Sequence, residues 1–515
     1  MSDATGRNVG RPAARVAAGI FLTRILGFVR ERVFASYFGS GREADAFRAA
    51  LKIPNIIRNL LGEGTLSASF IPVYAALLER GEEHTAKKLA ASVLNLVVML
   101  AIGGAVAGAV FAPVITDIAA PGFDEATRDI TVTLVRIMFP MAGIMIVSAW
   151  CLGVLNTHRR SFLSYSAPMM WNVAQIVTLV MFGSWFAGWR GVQLVTALAW
   201  GALAGSILQV AMQLPSALSL AGIVRDKTNE ASREFQRVVR AWVPVVIGAG
   251  VWQVSSLIDT QLGSLAGPGS VAVLGYAYLL ATLPVSLFGV SIAAASLPEL
   301  SRDAATMSAE ATRERLSQAA GRVAFFIVPS AIALAAFGDL AVGALYQTGS
   351  FDAVQTQVVT GVLAAYSIGL PAQASVRLLT SGHYALGDTR TPLIVALVTV
   401  ITGATLGFVL MDVYGVAGIA LGSAVAAYLN MALNYFLLVR RTGPIVVGKI
   451  SVSIGKSLGS AVLSLGAGSM IYGIVAPWGI WPAAIFTFST FGVVYVAATF
   501  GSKHPEAKAL VFRNR

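Results

Sequence analysis

The sequence predicts an all-α, polytopic membrane protein: fourteen transmembrane helices, arranged as two pseudo-symmetric six-helix lobes plus two extra C-terminal helices. Three observations carry this prediction. The 515 residues are 56% hydrophobic and only 12% charged, with a mean hydropathy of +0.74, whereas a soluble chain carries about 25% charged residues. Apolar stretches of about 20 residues, the length that crosses a bilayer, recur from end to end. The basic residues, finally, alternate between successive connections.

In chain order the stretches fall at 16–38, 46–78, 88–116, 130–155, 162–186, 192–222, 239–266, 271–296, 320–345, 354–382, 391–411, 414–438, 451–473 and 478–500. The first follows a polar, basic start and contains Arg24 and Arg30, which reads as an uncleaved signal anchor rather than a removable signal peptide. The second is too long for one straight span. Pro54 removes a helix donor and Gly62 and Gly64 loosen the backbone, so a bend or break is expected there. Of the 37 Lys and Arg, 26 lie in alternate connections, from Arg7, Arg11 and Arg15 to Lys503, Lys508, Arg513 and Arg515. The opposite connections hold only Arg42, Arg128 and Arg190. By the positive-inside rule both termini are cytoplasmic, and an error in helix number would scramble this alternation.

An internal echo divides the chain. Ile53-Pro54 opens a run that reaches Phe70-Ile71-Pro72-Val73, and Leu283-Pro284 opens one that reaches Ser296-Leu297-Pro298-Glu299. Each is a Pro-bearing apolar helix, rich in small residues, that ends at a second Pro before a charged connection. Residues 1–223 thus form an N-lobe with spans 1–6, and 224–440 a C-lobe with spans 7–12. Residues 441–515 add spans 13 and 14 and a basic tail. Duplicated halves around a central site are a common transporter plan.

Composition also excludes functions. The formal charge of +12 reads as topology, because no soluble basic domain exists to bind nucleic acid. Cys151 is the single cysteine, so intrachain disulfides and thiol metal sites are excluded. His84, His158, His383 and His504 lie far apart, without ligand spacing. No G-x-x-x-x-G-K-[ST] loop occurs, so direct use of ATP is not expected. No cofactor, no metal and no enzymatic activity are expected.

The first two spans hold the charges that need explaining: Arg24, Arg30, Glu31, Arg32, Asp45, Arg48, Lys52, Arg58 and Glu63. Facing lipid, Arg24, Arg30, Arg48, Lys52 and Arg58 would together cost roughly 12–18 kcal/mol on insertion scales, so they must face protein or water. Asp45, Arg48 and Lys52 share one helical face, as do Arg24 and Glu31. Guanidinium forks match phosphate oxygens bidentately, which points Arg24, Arg30 and Arg58 toward an anionic headgroup, a diphosphate above all. The alternative is snorkelling to the interfaces, or internal pairing with Glu31, Asp45 and Glu63. Arg32, Arg48 and Glu31, near the outer end, suit such anchoring. Arg136 and Arg377 either line the same cavity or pair structurally. Asp259 reads as a hydrated or hydrogen-bonded carboxylate, Cys151 as a small core residue, and Trp185, Trp189, Trp478 and Trp481 as interfacial belts.

The run Thr23-Arg24-Ile25-Leu26-Gly27-Phe28-Val29-Arg30-Glu31, followed by Ala44-Asp45-Ala46-Phe47, Lys52-Ile53-Pro54-Asn55, Arg58, Gly62-Glu63-Gly64 and Phe70-Ile71-Pro72, resembles the MurJ (MviN) family. These are bacterial lipid II flippases of the multidrug/oligosaccharidyl-lipid/polysaccharide exporter superfamily. Further similarity lies at Gly153-Val154-Leu155-Asn156-Thr157, Leu345-Tyr346-Gln347-Thr348-Gly349-Ser350-Phe351 and Asp388-Thr389-Arg390-Thr391-Pro392. The resemblance implies a two-lobed bundle in the bacterial inner membrane, with a cavity that opens alternately to each side. It also implies a groove on spans 13 and 14 for a polyprenyl tail. Arg24, Arg30 and Arg58 would hold the diphosphate-sugar headgroup of lipid II, with Asp45 and Glu63 pairing with them or gating, and the chain would work as a monomer beside membrane lipids. One departure stands out. Where the family commonly carries a charged segment with an arginine in span 8, this chain has Tyr278, Leu279 and Thr282. Arg377 or Arg136 then substitutes, or the headgroup is another polyprenyl-diphosphate saccharide. A cation-coupled multidrug exporter would instead prefer acidic cavity residues.

Overall fold

In a computed structural model, which describes residues 10–62, 64–222, 232–305, 309–443 and 447–507, the chain is helical throughout. Nineteen α-helices are described, with no strand among the described residues. Twelve segments are long and apolar enough to cross a membrane. Two further helices, α1 (Gly10–Phe38) and α10 (Ser232–Leu265), also exceed the length of a span at 29 and 34 residues. The architecture is therefore consistent with fourteen.

The chain divides into two compact units: one running to Val271 and including Thr348–Phe351, the other comprising Ala272–Gln347 and the chain from Asp352. In the first, α6 (Glu125–Thr157) is the hub. It packs against α2 (Arg42–Leu61), α3 (Thr65–Glu79), α4 (Glu83–Val110) and α9 (Gly191–Ala221). Between lipid-covered helices hydrophobicity gives little drive, so small residues that admit close approach do the packing. A Cβ on Gly143 of α6 would stand 2.8 Å from the Ala101 backbone of α4. Polar side chains then bond across the contact. Gln209 Nε2 donates to Ser148 Oγ at 2.9 Å, and Ser148 Oγ donates to Gln213 Oε1 at 2.6 Å. The core gathers Phe70, Tyr74, Leu89, Trp150, Cys151 and Trp242, and the Trp150 indole donates to Ala90 O at 3.0 Å. Cys151 is fully buried there, a small core residue.

α10 packs on α2 and α3 and so belongs to the first unit. Contact thus divides the chain near Val271, whereas the sequence echo suggested a boundary at residue 223.

Both echo segments are interrupted. α2 stops at Leu61 and α3 starts at Thr65, with Gly64 at φ +86, a conformation that only glycine takes without strain. The counterpart is α11 (Ser270–Pro284), a π turn at Val285–Gly289 and then α12 (Val290–Ala305). Proline at 284 removes a helix donor next to the wider turn.

In the second unit α15 (Ala353–Ala385) is the hub, packing on α12, on α13 (Ala309–Ala336), on α14 (Gly338–Tyr346) and on α17 (Val416–Thr442). α16 (Arg390–Tyr414) packs on α17. α18 (Val447–Val475) and α19 (Ile480–Gly501) pair with each other and join α13 through a core of Phe325, Phe337, Phe491 and Tyr495.

Candidate functional site

The sequence-predicted charges of the first two spans all belong to α1 and α2, except Glu63, which lies outside the described residues. These helices meet at the turn 39–41, which sets a common origin for depth. At about 1.5 Å per residue, Arg30, Glu31 and Arg48 lie about 9–12 Å from that turn, and Lys52 about 15 Å. Arg24 and Arg58 lie about 21–24 Å from it. The charges therefore form two levels.

The level nearer the turn is tightly knit. Arg30 Nη2 donates to Glu31 Oε1 at 2.5 Å and Arg48 Nη2 to Glu31 Oε2 at 2.7 Å. All three side chains are largely buried, at 12–19% exposure, so one carboxylate balances two guanidinium groups. Each guanidinium also lies over an aromatic ring. Arg30 is 4.7 Å from the Trp171 centroid in α8 (Pro168–Val180), and Arg48 is 5.3 Å from that of Phe34. Cation–π contact gains strength where water is excluded. Lys52 is within electrostatic reach of Asp259 on α10 and of Arg48. Asp259 thus acts beside a cation, an arrangement the sequence alone did not reveal. Asp45 is buried, and its Oδ2 accepts from the Gly269 N–H at 2.5 Å, in the loop after α10.

The far level is looser. Arg24 is exposed on α1. Among the described residues, Arg58 Nη2 reaches its neighbour Asn59, at 3.4 Å. Its Nε and the Asn55 Oδ1 three residues earlier are buried without a hydrogen-bond partner, a costly state for polar atoms. Arg136 is exposed on α6, and Arg377 is exposed on α15 in the second unit. The span 8 stretch is uncharged: Tyr278 is half-exposed, and Thr282 Oγ1 donates to Tyr278 O at 2.9 Å.

Two clusters of the second unit read as clamps rather than sites. Asp388 caps α16, accepting from Arg390 N at 3.1 Å and Thr391 N at 3.0 Å, with Arg441 Nη1 at 3.0 Å and His383 Nδ1 at 3.5 Å. Burial works to raise this carboxyl. The Thr391 hydrogen bonds and the Arg441 and His383 charges outweigh it and hold it at about 2. After α19, His504 is buried between Ser453 and Ser457, each 3.2 Å away, and Glu506 pairs with Arg322.

One signal for this geometry was present in the sequence. Trp171 sits inside its span rather than at an end, unlike the exposed Trp185, Trp189, Trp478 and Trp481.

The family model for lipid II flippase MurJ matches residues 34–489. A lipid II flippase MurJ of Burkholderia cenocepacia is 32% identical over 445 residues, covering 85% of this chain and 84% of that protein. A probable lipid II flippase MurJ of Rhizobium meliloti is 31% identical, over 83% and 80%. Among solved structures, an inward closed conformation of lipid II flippase MurJ superposes with a TM-score of 0.77 at 21% identity, covering 97% of this chain and 99% of that one. An inward-facing multidrug resistance transporter of the MATE family, in the MOP superfamily, reaches 0.67 at 15% identity, over 84% of this chain and 98% of that one. The solved structures share the fold.

Proposed function

The chain belongs to the MurJ family, a family of multi-pass membrane transporters, and from that premise we propose that it carries lipid II from the inner to the outer leaflet of the bacterial inner membrane. The observation that carries this reading is the set of cations on α1 and α2, where Arg30 and Arg48 share Glu31 while Arg24 and Arg58 lie farther from the turn at 39–41. A polyprenyl-diphosphate saccharide brings a phosphate-rich headgroup that must leave water, and guanidinium forks replace that hydration with matched charge-assisted hydrogen bonds. The tail needs no such help, because it stays in lipid throughout. Alternating exposure of these cations to the two leaflets then moves the headgroup, with both termini cytoplasmic as the distribution of Lys and Arg supports. No nucleotide or other cofactor takes part.

The test is rescue of bacteria depleted of their own lipid II flippase, with membrane insertion of this chain verified in parallel. Survival, with lipid II exposed on the outer leaflet, is the expected result. A well-inserted chain that neither rescues growth nor exposes lipid II would overturn the assignment.

A further inference from the structure

We propose that Arg48 is a headgroup-binding residue of this chain, forming with Arg30 a two-arginine phosphate site that Glu31 holds in readiness. The inference rests on the flippase reading above and adds a residue to its site. Two guanidinium groups from different helices converge on the two oxygens of one carboxylate, at 2.5 and 2.7 Å. Those oxygens are spaced much as two phosphate oxygens are, so the forks already point at a common oxyanion. The three side chains sit at 12–19% exposure, and ionisable groups so placed within membrane-spanning helices ordinarily mark a functional site.

The groups are also held in place before any ligand arrives. Trp171 lies under Arg30 and Phe34 under Arg48, which limits the rotamer freedom that binding would otherwise remove. Lys52, one turn from Arg48 on α2, adds a cation to the same level. When phosphate oxygens enter, at least one guanidinium passes from the carboxylate to the ligand, and Glu31 retains the other.

The experiment measures binding of undecaprenyl diphosphate to the purified full chain, with undecaprenol as the uncharged control and the melting temperature followed in parallel. Arg48→Met keeps an apolar stem against Phe34 and leaves Arg30 and Glu31 as a neutral pair. It should weaken diphosphate binding about tenfold or more, with undecaprenol binding and melting temperature unchanged. Arg48→Lys, which keeps the charge but not the fork, should recover part of the affinity. The proposal is overturned if Arg48→Met binds the diphosphate as the wild type does. It is equally overturned if the variant loses both ligands together and Arg48→Lys does no better, which is the signature of a structural anchor. Should Arg48→Met not fold, wild-type diphosphate affinity in Arg48→Lys overturns the proposal. A selective loss of diphosphate binding in a chain that does not move lipid II would uphold this site and sink the lipid II assignment instead.

Discussion

Asp388 shows how one side chain fastens an element at the membrane edge. Its Oδ1 caps α16 while its Oδ2 meets Arg441 at the end of α17. Because the folded state holds this carboxyl at about 2, below its ordinary 3.8, the stabilisation is fully present above 3.8. It is lost as pH falls from there toward 2. Asp388→Asn should therefore melt below the wild type at neutral pH, and the gap should close across that acidic window. A gap that stayed constant would mean the charge is irrelevant. At this scale the sequence was half legible. The expense of a charge in an apolar stretch singles out Arg24, Arg30 and Arg58 as candidates without any structure. Glu31 was legible as a pairing partner, but not which groups would gather there, because Arg48 reaches Glu31 across 17 residues and Trp171 reaches Arg30 across a far longer stretch. Those meetings depend on how whole helices rotate against each other.

Among the elements, the break between α2 and α3 is the most exacting. Gly64 at φ +86 and ψ −53 sits where a side chain is strained, so Gly64→Ala should cost roughly 1–3 kcal/mol of stability. Gly103, in the interior of α4 with nothing near its Cβ position, is the control. Alanine there should be neutral or stabilising by about 0.5–1 kcal/mol. Equal melting temperatures for the two variants would contradict this account of the break. Gly62 and Gly64 announced this interruption because backbone chemistry is local, whereas α2 runs on through Pro54. The span limits were legible for the same reason: apolar length is written residue by residue. The π turns at Met181–Trp185 and Val285–Gly289 were not, since a widened turn looks like any apolar helix until its neighbours are placed.

At the scale of the molecule, the family fold is kept while the span 8 stretch carries no charge. If that stretch faces the headgroup, Leu279→Arg should fold and preserve or raise lipid II transport in depleted cells. A collapse in membrane-inserted protein would show that the surroundings of Leu279 have repacked around an apolar side chain, as close-packed interiors demand. The overall class was legible from composition and charge alternation. The placement of α10 with the first unit was not, because its contacts with α2 and α3 join residues about 200 apart. The central claim is that cations on α1 and α2 carry the headgroup, and the most direct measurement is an alanine series at Arg24, Arg30 and Arg58 in flippase-depleted bacteria, with membrane amounts matched. The account predicts that each variant inserts normally, fails to sustain growth and leaves the outer leaflet without exposed lipid II; three variants as active as the wild type would contradict it.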